Sequence, residues 1–163
     1  MPIKIEIVAQ PSEADREPIL QRLLVYNEAN GGPANYEAFA IRLSDTTTGA
    51  DVGGIWARIY YAWLYVDLLY VPEAARGRDI GSRLLAKAEA FARRRGCTGV
   101  WLNTFSFQAP GFYRKRGYRA FGILSDYPRG GKLFFFRKSL GRVRPRRKPA
   151  SRRSKSGRPR RLP

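Results

Sequence analysis

Histidine is absent from this chain of 163 residues, and cysteine occurs once, at Cys97. Without histidine the chain cannot supply a Ser-His-Asp triad, a Cys-His catalytic pair or a metal site with histidine ligands. A single cysteine excludes an intramolecular disulfide and a cysteine-rich zinc cluster, and it fits a reducing cytoplasm. The composition therefore excludes the hydrolases and metalloproteins that depend on these groups.

Acidic residues are also scarce, because 13 Asp and Glu stand against 31 Lys and Arg, for a formal net charge of +18. Residues 141–163 hold eleven of the basic residues, four prolines and no acid, which leaves +7 for residues 1–140. Such a segment cannot bury enough apolar surface to offset its ordering entropy. We predict a disordered basic arm at 141–163, and one interpretation of its charge is contact with nucleic acid or an anionic membrane surface. The alternative is a solubilising tail with no specific partner.

Long apolar runs are missing too. The longest, Ile55 to Val71, includes Arg58 and Asp67 and falls short of the roughly 20 residues of a membrane-spanning helix. The first ten residues lack the basic start and apolar stretch of a secretory signal. We therefore expect no membrane span and a cytoplasmic protein, whose 44% hydrophobic residues suffice for a core.

Residues 1–140 show the patterns of alternating strands and helices. Ile3, Ile5 and Ile7 alternate with other side chains and predict a short strand, and Ser12 is predicted to cap a helix that ends at 30–33. Ile19, Leu20, Leu23, Leu24 and Tyr26 are expected to form that helix's apolar face. The remaining predicted elements are strands at 36–43, 54–61 and 63–71 (the first two joined by a hairpin turn at 44–53), a helix at 78–95, a strand at 100–102, a helix at 108–116, and strands at 118–124 and 132–138.

The turn after the strand at 63–71 has the features of an anion site. It carries Arg76, Gly77 and Arg78 and leads directly into an amphipathic helix. Free backbone N–H groups at a helix start attract anions, glycine lets a phosphate approach, and arginine side chains bind its oxygens. The pattern indicates a phosphate-bearing ligand, with a strand-to-helix turn that binds nothing as the alternative.

Two segments resemble the signatures of the GNAT N-acetyltransferase superfamily. Arg76 to Gly81 (RGRDIG) resembles its acetyl-CoA motif, Q/R-x-x-G-x-G/A, and Ala109 to Tyr118 (APGFYRKRGY) resembles its second signature, A-x-x-F-Y-x-x-x-G-F/Y. Their separation and the element order are also similar to the family's, over nearly all of residues 3–140. The resemblance implies an α/β (α+β) fold with a mixed, mostly antiparallel sheet of six to seven strands flanked by helices. That sheet would be splayed between the fourth and fifth strands.

The resemblance also implies a reaction: direct transfer of an acetyl group from acetyl-CoA to a primary amine, with no metal and no protein nucleophile. The pyrophosphate would lie on the turn, and the pantetheine arm would pair with the end of the fourth strand. The cofactor-binding residues so implied are Leu69, Tyr70, Val71, Arg76, Gly77, Arg78, Asp79, Ile80, Gly81 and Ser82.

Tyr113 and Asp67 are the predicted catalytic residues. Tyr113 falls on the position that protonates the departing CoA thiolate in many family members, and a phenol with a pKa of about 10 suits that task; otherwise its ring is a packing aromatic. By alternation, Asp67 shares one strand face with Tyr65 and Leu69, where it could relay the proton of the amine. The alternative for Asp67 is a buried structural acid paired with Arg58 or Tyr60.

Two departures from the family pattern bear on the ligands. Asp79 stands where the motif has its first glycine, which puts a negative charge near a bound phosphate, so we expect cofactor binding only if this side chain points away. After Tyr127-Pro128 the chain has Gly130 and Gly131, where a similar bacterial branch often has Gly-His, so the acceptor could differ.

The acceptor amine could belong to a small metabolite, an aminoglycoside-like compound, a peptide N-terminus or a lysine. The acids positioned to attract it are Glu28, Glu37, Asp67 and Asp126. Homodimers are common in the family, which leaves a homodimer open. The alternative function is a non-catalytic acyl-CoA-binding protein that docks on nucleic acid through residues 141–163.

Overall fold

The structure is a computed structural model, and it describes residues 2–141. The predicted basic arm lies outside the described residues, apart from Gly141. The helices are α1 (Glu13–Gly31), α2 (Ile80–Arg94) and α3 (Pro110–Arg114), and a 3-10 turn (Glu73–Ala75) precedes α2. The strands are β1 (Glu37–Ser44), β2 (Asp51–Tyr60), β3 (Trp63–Tyr70), β4 (Gly99–Phe105), β5 (Arg119–Ser125) and β6 (Lys132–Ser139).

The strands form one sheet in the order β1-β2-β3-β4-β6-β5. Every neighbouring pair is antiparallel except β3 and β4, which run parallel, as a connection through α2 requires. The mixed, mostly antiparallel sheet expected from the resemblance is therefore confirmed, with β3 and β4 as the predicted fourth and fifth strands.

The strand predicted at residues 3–8 is wrong. This segment has no regular structure, and Ile3, Ile5 and Ile7 are 75–96% exposed. An alternating pattern becomes a strand only where a neighbour supplies ladder hydrogen bonds and a surface for the apolar face. Within residues 2–141 this segment pairs with no strand, although the outer edge of β1 has no partner.

Helix α1 begins and ends as predicted but is not buried. The Ser12 N–H donates to Asp15 Oδ2 at 2.8 Å, which lowers the pKa of that carboxyl, and Gly32 ends the helix with φ 72°. No residue of α1 is buried, and its predicted apolar face is largely exposed. Near its end the helix contacts the turn between β2 and β3, where Tyr61 Oη donates to the Asn27 carbonyl at 3.3 Å.

The core lies between the sheet and α2. Leu84, Leu85, Ala88 and Ala92 of α2 are 5% exposed or less and pack in one cluster with side chains of β2, β3, β4 and β6. Burying a leucine side chain stabilises the fold by about 1.5–3 kcal/mol. The amphipathic spacing predicted for this helix is confirmed, and it fixes the start of α2 against the middle of the sheet.

Strands β3 and β4 separate halfway along their length. Their ladder runs only from Trp63 with Gly99 to Val66 with Leu102. On its other side β3 continues along β2 to its end, while β4 continues along β6. The expected splay is therefore present, and it opens a gap between the last residues of the two strands.

A β-bulge at Asp67 lies where the separation begins. Ala57 pairs with Val66 and its neighbour Trp56 pairs with Leu68, so Asp67 is an extra residue in β3. A bulge bends a strand and changes which face its later side chains occupy. Leu69 consequently pairs with the buried Ile55 on the core side.

The bulge corrects one prediction from the sequence. Tyr65 pairs with Arg58 on the opposite face of the sheet from Leu69. The common face predicted for Tyr65, Asp67 and Leu69 is therefore wrong, because strict alternation does not hold across an inserted residue.

Candidate active site in the gap between two strands

The gap between β3 and β4 is a cavity of about 1130 Å³. Its walls are the end of β3, the turn and first residues of α2, the end of β4, and α3. Asp67, Tyr113 and nine of the ten predicted cofactor-binding residues line it; Arg78 is the exception. The structure thus brings together the residues that the two sequence signatures indicated, around one cavity.

The first turn of α2 supplies unpaired backbone donors. The first bond of the helix runs from the Arg83 N–H to the Asp79 carbonyl at 3.0 Å, so the N–H groups of Ile80, Gly81 and Ser82 precede it. These three residues line the cavity. Together with the positive end of the helix dipole, they form a donor set that fits a phosphate.

Gly81 brings α2 and α3 close together at this point. A Cβ atom on Gly81 would lie 3.2 Å from the Phe112 ring, closer than an ordinary contact. Gly77 has φ +76°, a conformation that side chains other than glycine rarely adopt. The two glycines therefore allow both the shape of the turn and the close approach of α3.

Asp79 adopts the left-handed conformation, with φ 56° and ψ 11°, that the motif glycine would adopt freely. The orientation required from the sequence is not found, because the Asp79 side chain points toward the first turn of α2 and lines the cavity. The Ser82 hydroxyl donates to Asp79 Oδ1 at 3.5 Å, although the Asp79 side chain makes no cap hydrogen bond with a backbone N–H of the helix. The negative charge of Asp79 therefore lies beside the backbone N–H groups that suit a phosphate.

The side chain of Arg76 holds the turn before α2 together and lines the cavity. Its Nε donates to the Val71 carbonyl at 3.1 Å, which links the middle of the segment between β3 and α2 to its first residue. Arg78 is exposed and lies outside the cavity lining. The two motif arginines therefore differ: Arg76 shapes the cavity, and Arg78 faces solvent.

Tyr113 combines a packed ring with a free hydroxyl. It is 7% exposed, and its ring makes edge contacts with Phe112 and Tyr118 at centroid distances of 5.0 and 5.9 Å. Its hydroxyl donates to no group among the described residues and is not a buried unpaired atom, so it opens to the cavity. Burial raises the pKa of Tyr113 to about 12, above the value of about 10 expected for a phenol.

Asp67 lies on the bulge at the cavity wall. Its Oδ2 is 3.4 Å from Arg58 Nη1, and the side chain is 35% exposed. The pair with Arg58 was one of the alternatives from the sequence, but the acid is not buried as that alternative supposed. An exposed pair of this kind contributes little to stability and leaves the carboxylate accessible to a ligand.

The other acids proposed for attracting an amine do not line the cavity. Glu37 accepts two hydrogen bonds from Arg95, at 2.7 and 2.8 Å, and these lower the pKa of Glu37. Asp126 accepts the Gly130 N–H at 2.7 Å within the turn between β5 and β6, and Glu28 is on α1. Asp67 is the one of the four that the cavity contains.

The cavity residues missed from the sequence include Asn103, Gln108 and Arg116. Asn103 donates to Tyr65 Oη at 2.8 Å, and Gln108 accepts the Phe105 N–H at 2.8 Å, which closes the turn after β4. Arg116 lies over the Phe112 ring at 3.7 Å. Asn103 could have been found as a polar residue in an apolar strand, whereas Arg116 occupies a variable position of the second signature and gave no signal.

Within residues 2–141, no three His, Cys, Asp or Glu side chains come together as a group that could hold a metal ion. None of the described helices has the length and apolar character needed to cross a bilayer.

Comparison with known proteins gives consistent matches. Residues 8–118 match the Acetyltransferase (GNAT) family. The blasticidin-S acetyltransferase of Streptomyces morookaense is 49% identical over 83 residues, which are 50% of this chain and 61% of that protein, so the chain spans less than two thirds of it. An acetyltransferase of Agrobacterium fabrum is 34% identical over 130 residues, covering 80% of this chain and 91% of that protein. A crystal structure of an acetyltransferase from Bacillus cereus superposes with a TM-score of 0.73 at 31% identity, covering 82% of this chain and 97% of that chain.

Proposed function

Because the chain belongs to the Acetyltransferase (GNAT) family, we propose that it transfers an acetyl group from acetyl-CoA to a primary amine. The observation that carries the proposal is the cavity between β3 and β4. Backbone N–H groups that suit a phosphate lie at the start of α2, and both predicted catalytic residues are in the cavity walls. Direct transfer needs no protein nucleophile, so the absence of histidine does not exclude this reaction.

The residues present fit the cofactor. The N–H groups of Ile80, Gly81 and Ser82 would hold the pyrophosphate. The backbone of β3 from Leu69 onward has no β4 partner on the cavity side, so it is free to pair with the amide groups of the pantetheine arm. When bound, the cofactor supplies an activated acetyl group as a thioester.

Asp67 would act on the acceptor. Its carboxylate lies at the cavity wall and attracts a cationic amine, which must lose a proton before it can attack a carbonyl carbon. Asp67 accepts that proton, directly or through water, as the new C–N bond forms. The ion pair with Arg58 keeps the side chain at the bulge.

Tyr113 would act on the leaving group. Its hydroxyl faces the cavity and donates a hydrogen bond to the sulfur as the C–S bond breaks. With a pKa of about 12 the phenol keeps its proton at neutral pH. The proton that the amine releases therefore returns through water to the sulfur, and free CoA thiol leaves.

The relative named for blasticidin-S supports a small-molecule acceptor. Two aromatic side chains of the cavity lining, the half-buried Phe105 and the exposed Phe107, stack with their ring centroids 5.2 Å apart. They offer a flat apolar surface to the body of an acceptor whose amine reaches Asp67.

The proposal is tested by release of CoA thiol from acetyl-CoA in the presence of a panel of small amines, with product acetylation followed by mass spectrometry. Cys97 is 1% exposed and burial raises its pKa, so the protein adds little background to a thiol reagent. Turnover with at least one amine class is expected. Acetyl-CoA binding with no turnover on any amine would favour the alternative of a non-catalytic acyl-CoA-binding protein.

The basic arm at 141–163 has a separate prediction. Deleting these residues is expected to abolish binding to nucleic acid and to leave acetyl transfer intact, because the cavity is built from residues 66–116. Loss of transfer in the truncated chain would instead assign the arm to substrate capture.

A further inference from the structure

We propose that Arg116 binds the pyrophosphate of the cofactor, together with the first turn of α2; this inference rests on the function proposed above. Arg116 is half-buried and lies in the wall of the large cavity, next to Ser82. A guanidinium at this place would add a full positive charge and directed donors to the backbone N–H groups of the turn.

The contacts of Arg116 fix the position of its guanidinium. Its Nε donates to Ser82 Oγ at 3.0 Å, Nη2 donates to the same oxygen, and Nη1 donates to the Phe112 carbonyl at 3.0 Å. The group also stacks on the Phe112 ring at 3.7 Å. These contacts use three of the five N–H groups of the guanidinium and leave two for a ligand. The side chain is therefore preorganised, so little ordering entropy opposes binding.

The charge of Arg116 has no counter-ion among residues 2–141. Arg58, Arg93 and Arg95 each form an ion pair with an acid, whereas Arg116 forms none. The buried Glu89 already accepts hydrogen bonds from Lys138 at 2.8 Å and from Tyr118 at 3.0 Å, so it does not pair with Arg116. A half-buried cation without a counter-ion is costly, and an anion in the cavity would offset that cost.

Arg116 also determines what Ser82 can do. Ser82 Oγ accepts both hydrogen bonds from Arg116, so its own proton must be donated elsewhere. Among the described residues, the Ser82 hydroxyl donates to Asp79 Oδ1 at the long distance of 3.5 Å. A phosphate oxygen beside the turn would be a better acceptor than this distant carboxylate. Arg116 therefore leaves the Ser82 hydroxyl proton available for a phosphate oxygen beside the turn.

A second cavity of about 250 Å³ supports this placement. It is lined by Ser82, Leu85, Ala86, Glu89, Arg116 and Lys138, and it shares Ser82 and Arg116 with the large cavity. Arg116 thus stands between the two spaces, next to the helix start. The ligand group nearest to it is the one held by the first turn, which is the pyrophosphate.

The test is calorimetric titration of the full-length protein with three ligands: CoA, 3′-dephospho-CoA, which keeps the pyrophosphate, and pantetheine, which has no phosphate. Arg116→Met keeps the apolar stem over Phe112 and removes the charge. We expect it to raise the Kd of CoA and of 3′-dephospho-CoA by the same factor, about ten- to a hundredfold, and to leave pantetheine unchanged. Arg114→Met is the matched control, because Arg114 is an exposed arginine at the end of α3, two residues before Arg116, and packs over Phe134 outside the cavity.

Several results would overturn the inference. If Arg116→Met leaves the Kd of CoA unchanged, Arg116 does not bind the cofactor. If the Kd rises for CoA but not for 3′-dephospho-CoA, Arg116 binds the 3′-phosphate instead. If the Kd of pantetheine rises by the same factor, the role of Arg116 is merely structural. If Arg116→Met does not fold, Arg116→Lys keeps a charge without the planar fork, and its Kd is expected between wild type and tenfold weaker. If the wild-type protein binds none of the three ligands, the proposed function is contradicted as well. If wild type and Arg116→Met bind CoA equally well, only this inference is contradicted.

Discussion

Replacing Tyr113 with phenylalanine separates two roles that a phenol could have at the leaving group. Burial raises the pKa of Tyr113 to about 12, while a thiol has a pKa of about 8.5. Complete proton transfer from the phenol to the thiolate would therefore be uphill by about 5 kcal/mol. The structure favours a hydrogen bond to the developing thiolate over full transfer of the proton.

The expected loss of kcat in Tyr113→Phe is therefore that of one hydrogen bond and not that of a full proton transfer. A hydrogen bond to a charged group contributes about 1.5–3 kcal/mol, so Tyr113→Phe should lower kcat by roughly ten- to a hundredfold, with the KM for acetyl-CoA nearly unchanged. The substituted protein should stay folded, because the lost hydroxyl has no partner among the described residues. Wild-type activity should show no loss from ionisation of Tyr113 below about pH 11.

The assay is CoA thiol release at saturating acetyl-CoA, over a range of pH. Tyr118→Phe is the control, because Tyr118 is a buried neighbour on the same side of the sheet whose hydroxyl donates to Glu89 outside the cavity. It should affect stability and not kcat. A loss below twofold for Tyr113→Phe would show that the hydroxyl does not touch the leaving group, and a loss above about a thousandfold would refute the hydrogen-bond account in favour of full proton transfer.

Three further substitutions test separate parts of the site. Asp67→Asn should lower kcat/KM for cationic amines by about ten- to a hundredfold without changing the Kd of CoA; equal activity in the steady-state assay would leave Asp67 as a partner of Arg58 only. Asp79→Asn keeps a residue that tolerates the left-handed backbone and removes a negative charge, so calorimetry should show CoA binding about two- to fivefold more tightly, and weaker binding would contradict the charge argument. Lys138→Met leaves the buried Glu89 with only Tyr118 and the longer contact to Arg93, so thermal unfolding should show a loss of about 2–3 kcal/mol, and an unchanged Tm would mean that the pair is not buried in solution.

The sequence predicted the features that depend on local pattern. The helix from Ser12, the amphipathic α2 and the strands after Tyr36 follow from capping residues and periodicity, which act over a few residues. The two signatures predicted the cavity, because the turn before α2 and helix α3, which carry them, both line it.

The features that escaped prediction depend on neighbours distant in sequence. The alternation of Ile3 to Ile7 carries no information about whether a strand is available to pair with it. The bulge at Asp67 is visible only in the register between β2 and β3, and it changes the face of every later residue of β3. Arg116 became a candidate only when its contacts with Ser82 and Phe112 were known.

The central claim is that the gap between β3 and β4 holds acetyl-CoA. Amide hydrogen exchange of the full-length protein, measured with and without saturating acetyl-CoA, tests it most directly. The predicted result is slower exchange at Leu69 to Val71 and at Ile80 to Ser82, with no change in the hairpin of β5 and β6. Unchanged exchange at both cavity segments, or protection confined to other parts of the chain, would contradict the claim.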